Sequence, residues 1–223
     1  MLAAFFKSLF HVWIWPIQRY LWLSFFGSLV FFVSFWYAGN ILISNIILSN
    51  SWLEVIISVL GFASIALLTW FLFPVIMSAI ISIFLENIAE SVETHFYPPR
   101  HSLEKLAIKV SINANLKFLV LILAMNIAIL PTIFIFPFYI LLYYAINGFA
   151  FGFEIFNMVA SRKIAAHELK LLRKLKRNSI FLVGLIIALM QTIPIINIFA
   201  PMIGVIAMVH LFNDWKLPNN SKL

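Results

Sequence analysis

Charged residues divide this chain into four long uncharged windows: Tyr20–Leu53, Val55–Leu85, Phe118–Phe153 and Asn178–Asn213. A helix needs about 20 apolar residues to cross the ~30 Å hydrocarbon core of a bilayer, so each window can cross at least once. The apolar runs are continuous, unlike the alternating strands of a membrane barrel, and they predict helices. Segment 40–51, between the first two windows, carries no Lys or Arg. Basic residues occupy the other connections: Lys7 and Arg19; Arg100, Lys105, Lys109 and Lys117; Arg162, Lys163, Lys170, Arg173, Lys174, Lys176 and Arg177; and Lys216 and Lys222. By the positive-inside rule the basic connections and both termini are cytoplasmic and segment 40–51 is not. Windows one and two are then a pair of spans. Windows three and four each begin and end on the cytoplasmic side, so each is a hairpin.

Prolines mark where the hairpins turn. Phe118–Leu130 precedes Pro131, and Ser179–Ile193 precedes Pro194. At 1.5 Å per residue these arms are about 20 Å and about 22 Å long, short of the ~30 Å core. Proline removes a backbone donor, and backbone freed at membrane depth must be covered by protein or line a wet cavity. The expected fold is all-α and integral to the membrane. It has two long transmembrane helices plus two Pro-broken, partly penetrating helical hairpins, in preference to six full spans. Residues 1–19 form an amphipathic interfacial helix, 20–49 span one, and 53–97 span two with its cytoplasmic extension. Residues 118–156 form hairpin one, 161–177 a basic amphipathic helix with Leu169, Leu172 and Leu175 on one stripe, and 178–213 hairpin two. All belong to a single membrane domain, and the N-terminal apolar stretch, interrupted by Pro16, Gln18 and Arg19, is read as retained.

Composition agrees with this reading. Of 223 residues, 64% are apolar and 10% charged, whereas a soluble domain has about 45–50% and about 25%. Mean hydropathy is +1.05. A soluble enzyme, a disordered tail and a disulfide-stapled module are excluded. The net charge of +7 points to anionic lipid headgroups and cytoplasmic loops, and no soluble basic domain exists to bind nucleic acid. Without cysteine there is no thiol catalysis and no Cys-ligated metal.

The chain carries no nucleotide-binding or hydrolase motif, so neither an enzyme nor a cofactor is expected. His95 and His101, close to Glu90 and Glu93, admit a metal site, but membrane-edge polar residues are commoner and none is expected. His210 is expected at the membrane interface. More telling are polar residues inside apolar windows: Asn126, Thr132, Asn147, Glu154, Gln191, Thr192 and Asn197. Helix-to-helix hydrogen bonding explains them simply. A second reading takes Thr132 and Pro194 as opening the second arms of the hairpins, whose N-terminal N–H groups would face an anion. Glu86, Glu90 and Glu93 share one helix face and call for cations from the basic helix after Ser161. Glu154 is placed to pair with Arg162 or Lys163.

Three stretches resemble the CysZ and etoposide-induced-protein membrane family. They are Phe73-Pro74 with Ile88-Ala89-Glu90-Ser91-Val92-Glu93 and Tyr97-Pro98; Asn147-Gly148 through Gly152, Glu154, Phe156 and Arg162; and Ile193-Pro194-Ile195-Ile196-Asn197-Ile198-Phe199-Ala200-Pro201 with Gly204. The closing Ala207-Met208-Val209-His210-Leu211-Phe212 is similar to a divergent proteobacterial branch. The resemblance implies a bacterial inner-membrane sulfate permease, assembled as a homo-oligomer, with two long spans and two partial hairpins. It also implies that arginines before the first span handle the anion; Arg19 matches, and Gln18 stands where a second Arg belongs. In sulfate-permease relatives a Pro-Phe-Asn precedes the Ala-Glu element, where this chain has Phe84-Leu85-Glu86. The expected function is therefore an anion permease for sulfate or a similar oxyanion, working without ATP. Arg19, Thr132, Gln191, Thr192 and Asn197 are its candidate anion-binding residues. Glu86, Glu90, Glu93, Asn147, Glu154 and Arg162 are structural or gating residues. The competing reading is a non-transporting scaffold that organises the bilayer through its partial hairpins and basic loop.

Overall fold

The computed structural model of the chain describes residues 2–44, 51–97 and 112–215. Arg100, His101, Lys105, Lys109, Lys216, Lys222 and most of the connection between the first two windows lie outside them. Over the described residues the elements are α1 (Leu2–His11), α2 (Trp15–Ser44), α3 (Ser51–Ile83), α4 (Leu85–Phe96), α5 (Ile112–Ala128), a 3-10 turn (Leu130–Phe134), α6 (Phe138–Ala160), α7 (Ala166–Leu175), α8 (Arg177–Gln191) and α9 (Ile196–Asp214). Four helices, α2, α3, α6 and α9, are long and apolar enough to cross a membrane, and α5 and α8 are shorter apolar helices.

Several element boundaries differ from the sequence reading. The N-terminal helix stops at His11, and α2 starts at Trp15. Pro16 then falls in the first turn of α2, where a missing N–H leaves no gap in the ladder. The second span and its extension are two helices, α3 and α4, broken at Phe84 (φ −96°, ψ 4°). The basic helix is shorter than residues 161–177, because a turn fills Ser161–Ala165 before α7. Leu172 is buried and Leu169 packs against the core, but Leu175 is 70% exposed, so the leucine stripe is not uniformly covered.

Helices α2 and α3 form a long antiparallel pair stitched by aromatic rings. Trp36 meets Phe62 at 4.8 Å, Phe25 and Phe32 meet Phe73 at 5.8 and 5.7 Å, and Tyr20 meets Phe84 at 5.6 Å. The hydroxyls of Ser24, Ser28 and Ser34 donate back to carbonyls one turn earlier, so they burden neither lipid nor partner helix.

Helix α9 is the centre of the molecule. It packs against α1, α3, α4, α6 and α8, and every residue from Ala200 to Phe212 is buried. A helix that is apolar on all sides is stable only when enclosed in this way. Its internal Pro201 has no N–H, which leaves the Asn197 carbonyl without its helical donor. The Ser78 hydroxyl of α3 donates to that carbonyl at 3.3 Å. The proline break is thus covered by a polar group from the neighbouring helix, as burial in an apolar setting requires.

Helices α6 and α8 run antiparallel in near backbone contact. A Cβ on Gly184 would collide with the Gly148 carbonyl oxygen and the Gly152 nitrogen, and one on Gly152 would collide with the Ile180 carbonyl. Gly148-x-x-x-Gly152 facing Gly184 is a small-residue packing motif of membrane helices. Gly204 extends it to α9, since a Cβ there would run into Ile187 of α8.

The two tips differ. The first passes from α5 through the 3-10 turn containing Pro131 to Pro137, and the second is a tight turn, Thr192–Ile195, between α8 and α9. Ile195 holds φ 72° and ψ −49°, a strained conformation for a β-branched residue.

Two expectations follow. Gly184→Val should cost about 1–3 kcal/mol or more, because backbone atoms cannot yield to the new side chain; an unchanged thermal transition in detergent would refute the close α6–α8 crossing. Ile195→Gly should raise that transition, recovering part of the roughly 1–3 kcal/mol of backbone strain. A lowered transition would mean that the isoleucine side chain contributes more than its backbone costs.

Candidate functional site

The ionic residues gather where α3 gives way to α4. On α4 the half-buried Glu93 accepts from Arg162 Nη2 at 2.9 Å and lies 3.6 Å from Lys163 Nζ. Arg162 Nη1 also donates to the Glu86 carbonyl at 3.3 Å, and Lys163 Nζ donates to Asn213 Oδ1 at 3.3 Å. Burial pushes the Lys163 ammonium down from its ordinary value, against the opposing pull of the Glu93 carboxylate. One carboxylate therefore meets two cations. The cations come from the turn after α6, not from the basic helix α7. Because both close on Glu93, Glu154 does not pair with either; its side chain is exposed on α6. Glu86 and Glu90 are also exposed. Arg162 Nε is buried with no hydrogen-bond partner among the described residues.

Arg19 stands at the same junction, in the first turns of α2. Its Nη2 donates to Tyr20 Oη at 2.7 Å, and its guanidinium carbon lies 4.7 Å from the centre of the Tyr20 ring. That ring leans on Phe84 at the α3–α4 break. The arginine is exposed, braced by an aromatic ring, and has no carboxylate partner among the described residues.

The residues of the hairpins form separate groups. Asn147 Nδ2 donates to Asn126 Oδ1 at 3.3 Å, joining α6 to α5 as simple interhelical bonding predicts. Thr132 lies inside the 3-10 turn and donates to the Ile129 carbonyl at 2.6 Å. It does not open the second arm, because α6 begins only at Phe138. In hairpin two, Tyr144 of α6 donates to Thr192 Oγ1 at 3.2 Å, and Thr192 donates to the Leu189 carbonyl at 2.7 Å. Gln191 ends α8, and Asn197 Oδ1 is buried without a hydrogen-bond partner among the described residues. At the tips some backbone N–H groups are bonded and others are not. Phe138 and Tyr139 both donate to the Ile135 carbonyl, Asn197 donates to Ile193, and Ile198 donates to Ile195, whereas the N–H groups of Phe136, Ile195 and Ile196 have no acceptor among the described residues. Donors available to an anion at the second tip are therefore the N–H groups of Ile195 and Ile196 and the side-chain amides of Gln191 and Asn197, since the Thr192 hydroxyl is already committed to the Leu189 carbonyl. No hydrogen bond or ion pair joins Arg19 to Gln191, Thr192, Asn197 or Thr132 among the described residues.

A third polar group escaped the sequence reading. His210, expected at the membrane interface, is 2% exposed because α9 is enclosed on all sides. Its Nε2 lies 2.8 Å from His11 Nδ1, and its Nδ1 lies 2.8 Å from Tyr97 Oη. One directional chain satisfies all three: Tyr97 donates to His210 Nδ1, and His210 Nε2–H donates to His11 Nδ1. The His11 ring stacks on Phe96 at 4.0 Å. The available signal was His210 itself, a polar residue deep in an uncharged window. Its partners, about 200 and about 110 positions away in sequence, could not be read without the fold. Among the described residues no group of three or more His, Asp or Glu side chains could hold a metal ion.

A family model described as Sulfate transporter CysZ/Etoposide-induced protein 2.4 matches residues 4–201, from α1 into α9. The chain belongs to that family. No curated protein matches it in sequence.

The histidine chain predicts an acid-sensitive fold. His11 is held below its ordinary value of 6.5, first by burial, then by the positive charge of Lys7 and by His95. The unfolded chain then takes up the proton first, so the contribution is present above about pH 6.5 and is lost as pH falls through the lowered value. The unfolding temperature of the protein should drop between about pH 7 and about pH 5 more steeply than that of His11→Gln, which keeps a hydrogen-bonding amide but does not titrate. Parallel pH profiles would remove His11 as the cause.

Proposed function

We propose that this member of the family is an anion permease that moves sulfate or a similar small oxyanion across the bacterial inner membrane without ATP or covalent chemistry. The match to a family described as a sulfate transporter, over residues 4–201, is the observation that carries the reading. Only α2 and α3 cross fully on this view, and the hairpins enter from the cytoplasmic side. The contact between Asn197, at the tip of hairpin two, and Ser78, near the end of α3, supports it. From Ser78 back to Ser51 α3 runs on for roughly 40 Å beyond that tip, more than the ~30 Å core. The α6 arm passes the level of Thr192 from Tyr144 to Phe138, only roughly 9 Å more. Arg162, Lys163, Arg173, Lys174, Lys176 and Arg177 sit at the open ends of the hairpins, which supports a cytoplasmic position for that end by the positive-inside rule.

Arg19 attracts the anion, and the side-chain amides of Gln191 and Asn197 with the N–H groups of Ile195 and Ile196 replace part of its hydration. Glu93, held by Arg162 and Lys163, keeps α4 locked to the turn after α6 so that the junction near Arg19 keeps its shape. A divalent anion in a low-dielectric passage needs compensating charge, and one guanidinium per chain supplies little. A homo-oligomer that brings several copies of Arg19 around one path meets that requirement. A scaffold role is the second reading. It is favoured by the clefts at the α7–α8 corner, which are lined by neither Arg19 nor the hairpin tips.

Radiolabelled sulfate uptake into proteoliposomes separates the two. Saturable uptake that excess chloride does not compete away and that Arg19→Ala reduces by about tenfold or more is expected, since a 1.4 kcal/mol loss of attraction is already tenfold. Folded protein that takes up no more sulfate than empty vesicles would favour the scaffold.

A further inference from the structure

The corner between α7 and α8 carries two clefts that share Arg177 and Asn178. One, of about 210 Å³, is lined by Lys174, Leu175, Lys176, Arg177, Asn178 and Ser179. The other, of about 300 Å³, is walled by Phe149 and Phe153 of α6 and by Ile180 and Phe181 of α8, with Arg173 and Arg177 at its rim. Together they reach the lower part of the ~300–1,000 Å³ range of small-molecule sites. The first is bounded by cationic and amide side chains, the second mainly by aromatic and aliphatic ones. Arg173 is already posed over this wall, its guanidinium carbon 4.7 Å from the centre of the Phe153 ring. Lys176 is drawn the other way, toward the Trp215 ring at 5.8 Å. Arg177 therefore borders both clefts, and Arg173 borders the apolar one.

We infer that this corner is a binding site for one anionic phospholipid, with its phosphate between Arg173 and Arg177 and its acyl chains along Phe149, Phe153 and Phe181. Charge and position together select this occupant. The rim is cationic, so it favours a headgroup of net negative charge over a zwitterionic one, whose own cation offsets the phosphate. The apolar cleft begins directly below the rim on the flank of α6, a candidate spanning helix, where acyl chains are the available solvent. A free inorganic anion would use the rim and leave the aromatic wall unsatisfied. The site lies on the opposite flank of α6 from Asn147, which faces α5, and the inference stands whether or not the protein moves sulfate.

Native mass spectrometry of the detergent-purified chain titrated with phosphatidylglycerol or phosphatidylcholine tests it. Phosphatidylglycerol should be retained in preference, as a first adduct that saturates at one per chain. Affinity should fall about fivefold for Arg173→Gln or Arg177→Gln and about twenty-fivefold for the pair. Phe153→Leu should weaken the adduct of a long-chain lipid more than that of a short-chain one. Lys170→Gln, at an exposed position of α7 that lines neither cleft, should change affinity less than twofold; all five variants, the double included, are checked by thermal unfolding. Equal losses for Lys170→Gln and the arginine variants would reduce the site to diffuse surface charge and overturn the proposal. So would equal retention of the two lipids, or displacement of phosphatidylglycerol by millimolar sulfate or phosphate, which would make the corner an inorganic-anion site.

Discussion

The contact between α6 and α8 is the constraint on which the rest of the bundle depends. Helices in a bilayer gain nothing from burying apolar surface against each other, because lipid is equally apolar, so they associate where their backbones fit closely. Gly148 and Gly152 on one side and Gly184 on the other bring backbone against backbone at the crossing. Bringing α6 and α8 together fixes the two hairpins relative to each other. Gly204 then lets α9 settle against Ile155 and Ile187, and α1, α3 and α4 close around α9. A methyl group on Gly152 or Gly184 would run into the backbone of the facing helix and push α6 and α8 apart.

Enclosing α9 has two consequences. It permits polar chemistry inside an apolar helix: Pro201 frees a carbonyl that Ser78 satisfies, and His210 is buried because Tyr97 and His11 reach both of its ring nitrogens. It also makes α9 the joint between the N-terminal helix and the α3–α4 junction. His11 belongs to α1 and Tyr97 closes α4, so the histidine chain ties together the segments that flank Arg19.

Much of this was legible from charge and proline alone. Uncharged windows, the basic connections and Pro131 and Pro194 locate helices and turns because each acts locally, through hydration or through a missing N–H. Family membership was legible from Ile193–Pro201 and the Glu90–Glu93 element. What could not be read depends on which faces meet. Three glutamates on one helix face do not say which of them is buried; only Glu93 closes on Arg162 and Lys163. Thr132 precedes the second arm in sequence, yet the chain spends the rest of a 3-10 turn and then Ile135, Phe136 and Pro137 before α6 begins. Gly148, Gly152 and Gly184 were visible as glycines, but their common function appears only when two hairpins distant in sequence are laid side by side.

The way polar groups are satisfied also limits where selectivity can reside. At both hairpin tips most backbone donors bond to carbonyls of their own turns, and Thr132 and Thr192 donate inward as well. The second tip then offers an ion the N–H groups of Ile195 and Ile196 and the side-chain amides of Gln191 and Asn197, which are few donors for a divalent anion. Positive charge is held at the edge, on Arg19 and on the Arg162–Glu93–Lys163 cluster. An anion arriving at one copy would therefore meet charge first and find little to follow it inward. Attraction at the edge becomes passage only if donors from neighbouring copies continue the path, so on the permease reading the assembly, and not the single chain, is the unit that selects.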